Sequence, residues 1–155
     1  MLISSKGRYA LRLMIHIAAF GESGGKISLR EVAERESISL KYLEQVVRPL
    51  MQEGLLRSVR GKGGGYVLAR PASEITAGDI LRAAEGQRPT VACEGLEGSC
   101  GRVDLCSTVR FWTGLERAID SYVDGVTLAD LAHIPEIDLI GDGGEALGEG
   151  KGPIG

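Results

Sequence analysis

Histidine is scarce: His16 and His133 are the two in 155 residues, so general acid–base chemistry has few options. No Ser/His/Asp set, pair of catalytic carboxylates or HExxH motif is present, and an enzyme is not expected. No apolar run approaches the roughly 18 residues that a spanning helix needs, and the amino terminus lacks a charged-then-apolar signal pattern. Neither a membrane span nor export is expected, and the cytoplasm is the expected compartment. Cysteine is sparse as well, with three residues. Thiols stay reduced in the cytoplasm, so a disulfide framework is not expected and metal or redox chemistry becomes the question. A chain of this length with 43% hydrophobic content buries one core plus an appended helical region, not two large domains.

What is present concentrates in residues 39–70, SLKYLEQVVRPLMQEGLLRSVRGKGGGYVLAR. Ser39 is a natural helix cap, and Leu43, Val46, Val47 and Leu50 recur behind it at helical spacing. The opposite face carries Lys41, Tyr42, Glu44, Gln45 and Arg48, which suit phosphates and the base edges of a major groove. Pro49 is expected to end or bend this helix. Residues 55–60 and 66–70 are strand-like, and glycines 61, 63, 64 and 65 permit a tight reversal between them. Arg60, Lys62 and Arg70 make the hairpin cationic, and Arg60 and Lys62, with Gly63 and Gly64 beside them, suit a phosphate or a narrow minor groove. The competing readings are a plain solvated hairpin and a phosphate-cradling nucleotide loop. Against the second, the GxxxxGK[ST] order is missing and a strand follows.

Upstream, Ser28 and Glu31 form a capping-box pattern that opens a helix to about Glu36, and Ser37-Ile38 makes a turn. Short helix, turn and capped helix is the spacing of a helix-turn-helix. Residues 5–20 predict a longer helix behind that pair, with Ala10, Leu13, Met14, Ile17 and Ala18 on its buried face. Residues 1–71 carry a net charge of +6 and residues 72–155 one of −9. A basic module facing a polyanion is thus joined to an acidic one facing protein or ligand. Residues 76–85 predict a short helix, and 87–102 a loop holding Cys93 and Cys100. A second long helix is predicted over 103–123 with Cys106 in its first turn. Its stripe of Val109, Trp112, Leu115, Ile119, Tyr122 and Val123 is expected to pack on a second copy in a two-fold dimer. A capped turn is expected at 127–133, and 141–155 has too little apolar content to order. The expected fold class is mainly α with a small β-wing: a winged helix-turn-helix over 1–71, a sensor loop and dimerisation helix over 72–135, and a flexible tail over 136–155.

Four segments, SSKGRYAL at 4–11, SLKYLEQ at 39–45, VRGKGGGYVLAR at 59–70 and ITAGDILRAAEG at 75–86, resemble signatures of a bacterial winged-helix regulator family. Its members include the iron-sulfur regulator IscR, the nitric-oxide-sensing repressor NsrR and the cysteine-metabolism repressor CymR. The resemblance covers about residues 1–135 and implies a homodimeric transcription regulator bound to a double-stranded DNA operator. It implies base-reading roles for Tyr42, Glu44 and Gln45, and a minor-groove wing formed by Arg60 and the glycines after it.

Cys93, Cys100 and Cys106 stand as C-x6-C-x5-C, a compact set of soft ligands of the kind that holds an iron-sulfur cluster or zinc. The three-cysteine insert resembles that of the cluster-binding members, which implies a cluster, a 2Fe-2S one being expected, whereas CymR lacks these cysteines. Three ligands are one short. The IscR pattern has a histidine three residues after the last cysteine, where this chain has Val109. NsrR-like members use an acid near the start of the first helix, where this chain has Arg8 and no carboxylate before Glu22. The remaining candidates are Glu94, Glu97, Asp104 and His16. The spacing of His16 from Leu13 and Phe20 favours a packed histidine, and His133 is expected at the surface. The alternatives are a cluster-free regulator sensing through thiols, zinc or a protein partner, and a small electron carrier, which would not need the basic helix and wing.

Overall fold

The computed structural model describes residues 3–21, 25–86 and 105–133. Helix α1, Ser5–Gly21, buries the five apolar residues expected of it, together with His16. No acidic residue lies in its first turn, yet the first N–H groups of a helix need acceptors. Glu85 supplies one from elsewhere in the chain: its Oε1 accepts from Ser4 N–H at 2.8 Å, Ser4 Oγ–H at 2.8 Å and Gly7 N–H at 2.9 Å. A Cβ on Gly7 would stand 2.5 Å from that oxygen, so glycine is what lets the carboxylate approach.

Helix α2, Leu29–Glu36, starts with Ser28 Oγ accepting from Glu31 N–H at 3.2 Å. Ser28 forms its half of the expected capping box. The turn to α3 runs through Ser37, which is left-handed at φ 53°, and Ile38 is buried with its N–H on Ala33 O at 3.0 Å. Ser39 then caps α3, Leu40–Gln52. Pro49 sits inside α3 rather than ending it. Burial of Leu43, Val46, Val47 and Leu50 outweighs one absent N–H, since each such side chain contributes roughly 1.5–3 kcal/mol.

Strands β1, Leu56–Val59, and β2, Gly65–Leu68, pair antiparallel with Leu56 opposite Leu68 and Val59 opposite Gly65. They are shorter than the sequence suggested. Ile27 adds a single bridge on the other side of Tyr66, with N–H···O distances of 3.1 and 2.8 Å. At Gly65 a Cβ would lie 2.6 Å from the Ile27 carbonyl oxygen, which is why this strand begins on glycine.

A 3-10 turn, Ala72–Glu74, leads to α4, Ala77–Glu85, where Thr76 and Asp79 form a full capping box. Helix α5 spans Val109–Gly125 and α6 spans Leu128–His133. The expected start of α5 is corrected: Cys106 precedes the helix instead of lying in its first turn. Its Sγ lies 3.3 Å from Thr108 Oγ1 and its carbonyl accepts from Val109 N–H at 3.4 Å. Such local bonds from short polar side chains compete with helical ones. The expected turn at 127–133 is α6, capped reciprocally by Thr127 and Asp130.

One core joins α1, α2 and α3 to Leu55, Leu56, Ile75, Ile80, Ala84 and Leu128. The entries of α4 and α6 are clasped together, Ala77 N–H to Val126 O at 2.8 Å and Leu128 N–H to Ile75 O at 2.7 Å. Of the α5 stripe, Val123 is buried, whereas Tyr122 is 74% exposed; Phe111, on the same helix, is 63% exposed. No helix among the described residues is long and apolar enough to cross a membrane.

Candidate nucleic-acid interface

Lys41, Glu44, Gln45 and Arg48 are all exposed on α3. Their spacing of i, i+3, i+4 and i+7 puts them on one face, opposite the four buried residues. Two cations, an acid and an amide therefore project from a helix whose other side is fixed in the core. Ser39 is exposed, and its hydroxyl is committed to the cap, accepting from Tyr42 N–H at 3.2 Å. Tyr42 stands at the edge of the exposed face. It is half-buried, with its ring edge-on to Tyr9 at a centroid distance of 5.6 Å, so it is anchored from behind.

The wing tip presents Arg60, Lys62 and Gly63, all exposed. Gly61 and Gly63 take positive φ values of 107° and 73° with open space around them, which glycine adopts without strain. Gly64 closes the turn by donating to Gly61 O at 2.8 Å. A Cβ there would meet the Val59 carbonyl oxygen at 2.5 Å. The tip is thus a short, all-backbone turn with its two cations directed outward and no described carboxylate paired to either. Helix face and wing together form the basic surface expected from the charge asymmetry, a geometry suited to a groove and its flanking phosphates.

An ionic chain that sequence reasoning missed runs from the root of the wing to α5. Arg70 lies 3.8 Å from Asp79, Arg82 lies 3.6 Å from Asp79, and Arg82 also pairs with Asp124. The Asp124 hydrogen bond raises the Arg82 pKa above its ordinary value. The Glu85 contacts with Ser4 and Gly7 were missed too. The available signal was the lack of an acid in the first turn of α1, which leaves its N–H groups seeking an outside acceptor.

Of the three cysteines, Cys106 is described; Cys93 and Cys100 fall outside the described residues, as do Glu94, Glu97 and Asp104. Cys106 is a free thiol, and hydrogen bonding from Thr108 lowers its pKa. A shift in this direction favours the thiolate, the form that binds metals. Val109, where a ligand would stand in the IscR pattern, opens α5. His16 is packed: it is 4% exposed, its ring lies 4.7 Å from that of Phe20, and its Nε2 has no hydrogen-bond partner among the described residues. Burial lowers its pKa, with Arg35 adding to the effect. No cluster of three or more potential metal ligands occurs among the described residues. His133 is exposed, as expected, with Nδ1 2.7 Å from Ala129 O.

Comparison with known proteins agrees with this geometry. The IscR regulator of Serratia proteamaculans is 38% identical over 92% of this chain and 85% of its own. Among solved structures, CymR, the global cysteine regulator of B. subtilis, superposes with a TM-score of 0.69 at 38% identity, covering 85% of this chain and 96% of that one. T. potens IscR gives 0.68 at 34% identity, over 84% and 85%. These relatives are named as regulators, not enzymes. The Rrf2 signature, described as an iron-dependent transcriptional regulator, matches residues 3–134. A winged helix-turn-helix with a cationic wing, matched over almost its whole described length, places this chain in the Rrf2 family of DNA-binding transcriptional regulators.

Proposed function

We propose that the protein acts in the cytoplasm as a homodimer that reads a two-fold-related DNA operator, and that a 2Fe-2S cluster held by Cys93, Cys100 and Cys106 sets its affinity. The observation that carries the DNA reading is the exposed Lys41–Glu44–Gln45–Arg48 face of α3 beside the glycine-built tip bearing Arg60 and Lys62. In this reading, residues 1–71 form the DNA-reading part, Tyr42, Glu44 and Gln45 meet base edges, and Arg60 enters the minor groove. Gly63 and Gly64 let the tip approach the backbone, while Ser39, Lys41, Arg48 and Lys62 hold the register on phosphates.

The dimer reading is supported by α5, which leaves Phe111, Leu115 and Tyr122 exposed. Apolar surface of that kind, repeated by symmetry, makes a self-complementary face. The cluster reading is supported by the soft three-thiolate set and by the half-buried, hydrogen-bonded Cys106 at the foot of α5. A bound cluster would supply redox and nitric-oxide sensitivity. Cys106 would transmit its gain or loss to the helix that follows, and the dimer would carry the change to both reading heads.

A second reading is favoured by Val109 and by the packed His16: a cluster-free regulator of the same fold that senses through thiols, zinc or a protein partner. An absorption spectrum with iron and acid-labile sulfide assays on protein purified without oxygen separates the two. Matched iron and sulfide with visible charge-transfer bands support the cluster. A colourless protein that binds DNA with the same affinity after Cys→Ala changes at 93, 100 and 106 overturns it.

A further inference from the structure

Behind the wing lies a cleft of about 730 Å³, bounded by the end of α1, the residues before Ile27, the outer face of the hairpin and one residue of α6. Its size falls in the range of small-molecule sites, about 300–1,000 Å³. Arg57 and Val67 are opposite one another in the β1–β2 register and Val59 is two residues along, so all three share one face of the hairpin. Val59 and Val67 are half-buried and form an apolar floor with Ile17. Lys26, Arg57 and Arg70 stand around it, and no carboxylate occurs among the described lining residues. Arg70 is held by Asp79 and by the Glu74 carbonyl, whereas Lys26 and Arg57 form no ion pair with any described residue.

We propose that this cleft binds a small organic anion, a carboxylate on an aromatic or branched aliphatic body. The body would lie on Ile17, Val59 and Val67, and the carboxylate would face Lys26 and Arg57. Convergence on an apolar floor of Lys26 and Arg57, which pair with no described residue, is the pattern of a pocket that orients an amphipathic ligand: the floor removes the body from water and the charges fix its direction. A solvated basic surface would show the cations without the floor, and a nucleic-acid backbone would use the cations without needing an apolar body. No residue of α3 lines the cleft, but Arg57, Val59, Val67 and Leu68 of the hairpin do, so an occupant would bear on wing position.

The test is direct binding to the full chain, by ligand-observed NMR and calorimetry, of 4-phenylbutyrate, its amine counterpart 4-phenylbutylamine, and inorganic phosphate. No DNA enters the readout, so its failure is distinct from failure of the DNA reading. The expected result is saturable binding of phenylbutyrate, at least tenfold tighter than the amine or phosphate. Binding should weaken at least threefold in each of Lys26→Ala and Arg57→Ala, both exposed and outside the core. Amide shifts should fall at Lys26, Val59, Val67 and Ala129. Equal binding of acid and amine, or of phosphate alone, overturns the proposal, as does unchanged affinity in both variants. One further outcome also overturns it. Residues 134–140, IPEIDLI, follow α6 in sequence and combine apolar and acidic chemistry. If the wild-type chain binds no phenylbutyrate but the full chain with Ile137→Asp and Leu139→Asp does, that segment fills the cleft in place of a free ligand.

Discussion

Replacing Glu85 with alanine removes the acceptor for three donors at the start of α1, more than 75 residues away in sequence. The bonds from Ser4 are exposed and the one from Gly7 is partly buried. A typical intramolecular hydrogen bond contributes about 0.5–1.5 kcal/mol net, and loss of a helix cap costs about 0.5–2 kcal/mol. Because the exposed donors regain water, Glu85→Ala should cost about 2 kcal/mol rather than the full sum. Glu85→Gln keeps an oxygen in place and loses the charge at the helix start, a loss of about 0.3–1 kcal/mol. Urea unfolding at fixed protein concentration measures both, and Ser4→Ala alone and combined with Glu85→Ala completes a double-mutant cycle. A cost below about 0.5 kcal/mol for Glu85→Ala, or a Ser4–Glu85 coupling near zero, would refute the reasoning.

Wing substitutions should divide by cause: Gly65→Ala drives a Cβ into the Ile27 carbonyl and should cost about 2 kcal/mol or more, whereas Gly63→Ala meets open space at φ 73° and should cost about 1–2 kcal/mol. Urea midpoints that rank the two the other way would contradict the geometry. The depressed pKa of His16 means that folding favours its neutral form. Its contribution to stability is complete above the unfolded value of about 6.5 and is lost as pH falls below it. The stability difference between wild type and His16→Phe should therefore move in favour of the variant between pH 7.5 and pH 5, and a constant difference would show that the ring does not titrate differently on folding. Arg60→Ala should weaken binding to a library-selected operator and reduce the salt slope by about one. Gln45→Ala should change which sequences are selected; a uniform loss across sequences would remove Gln45 from base reading.

Much of the reading head was legible because its signals are local. Ser28, Ser39 and Thr76 announce helix starts through their own side chains, and the periodicity of α1 and α3 carries their buried faces. The wing was legible from glycine spacing, although Ile27 as a third strand partner was not, since one bridging residue carries no period. Contacts across the sequence were the less visible part. Glu85 reaching Ser4, and Arg82 linking Asp79 to Asp124, join residues whose individual patterns resemble ordinary exposed helix charges. Pro49 does not end α3, because the four buried residues hold the helix through it against local backbone preference. The start of α5 was placed too early because periodicity does not register the turn made by Cys106 and Thr108. At the candidate metal site, the cysteine spacing was plain, and so was the packing of His16 against Phe20, four residues along the same helix.

The clasp between Ile75–Ala77 and Val126–Leu128 gives α5 the mechanics of a lever. Its 17 residues make an arm about 25 Å long, with Cys106 just before one end and the clasp at the other. A 2 Å displacement at the first turn corresponds to a rotation of only about 5° at the clasp. Asp124, Arg82, Asp79 and Arg70 join that clasped end to the root of the wing, so any rotation of α5 about the clasp would reach the wing as a displacement smaller than the one at its first turn.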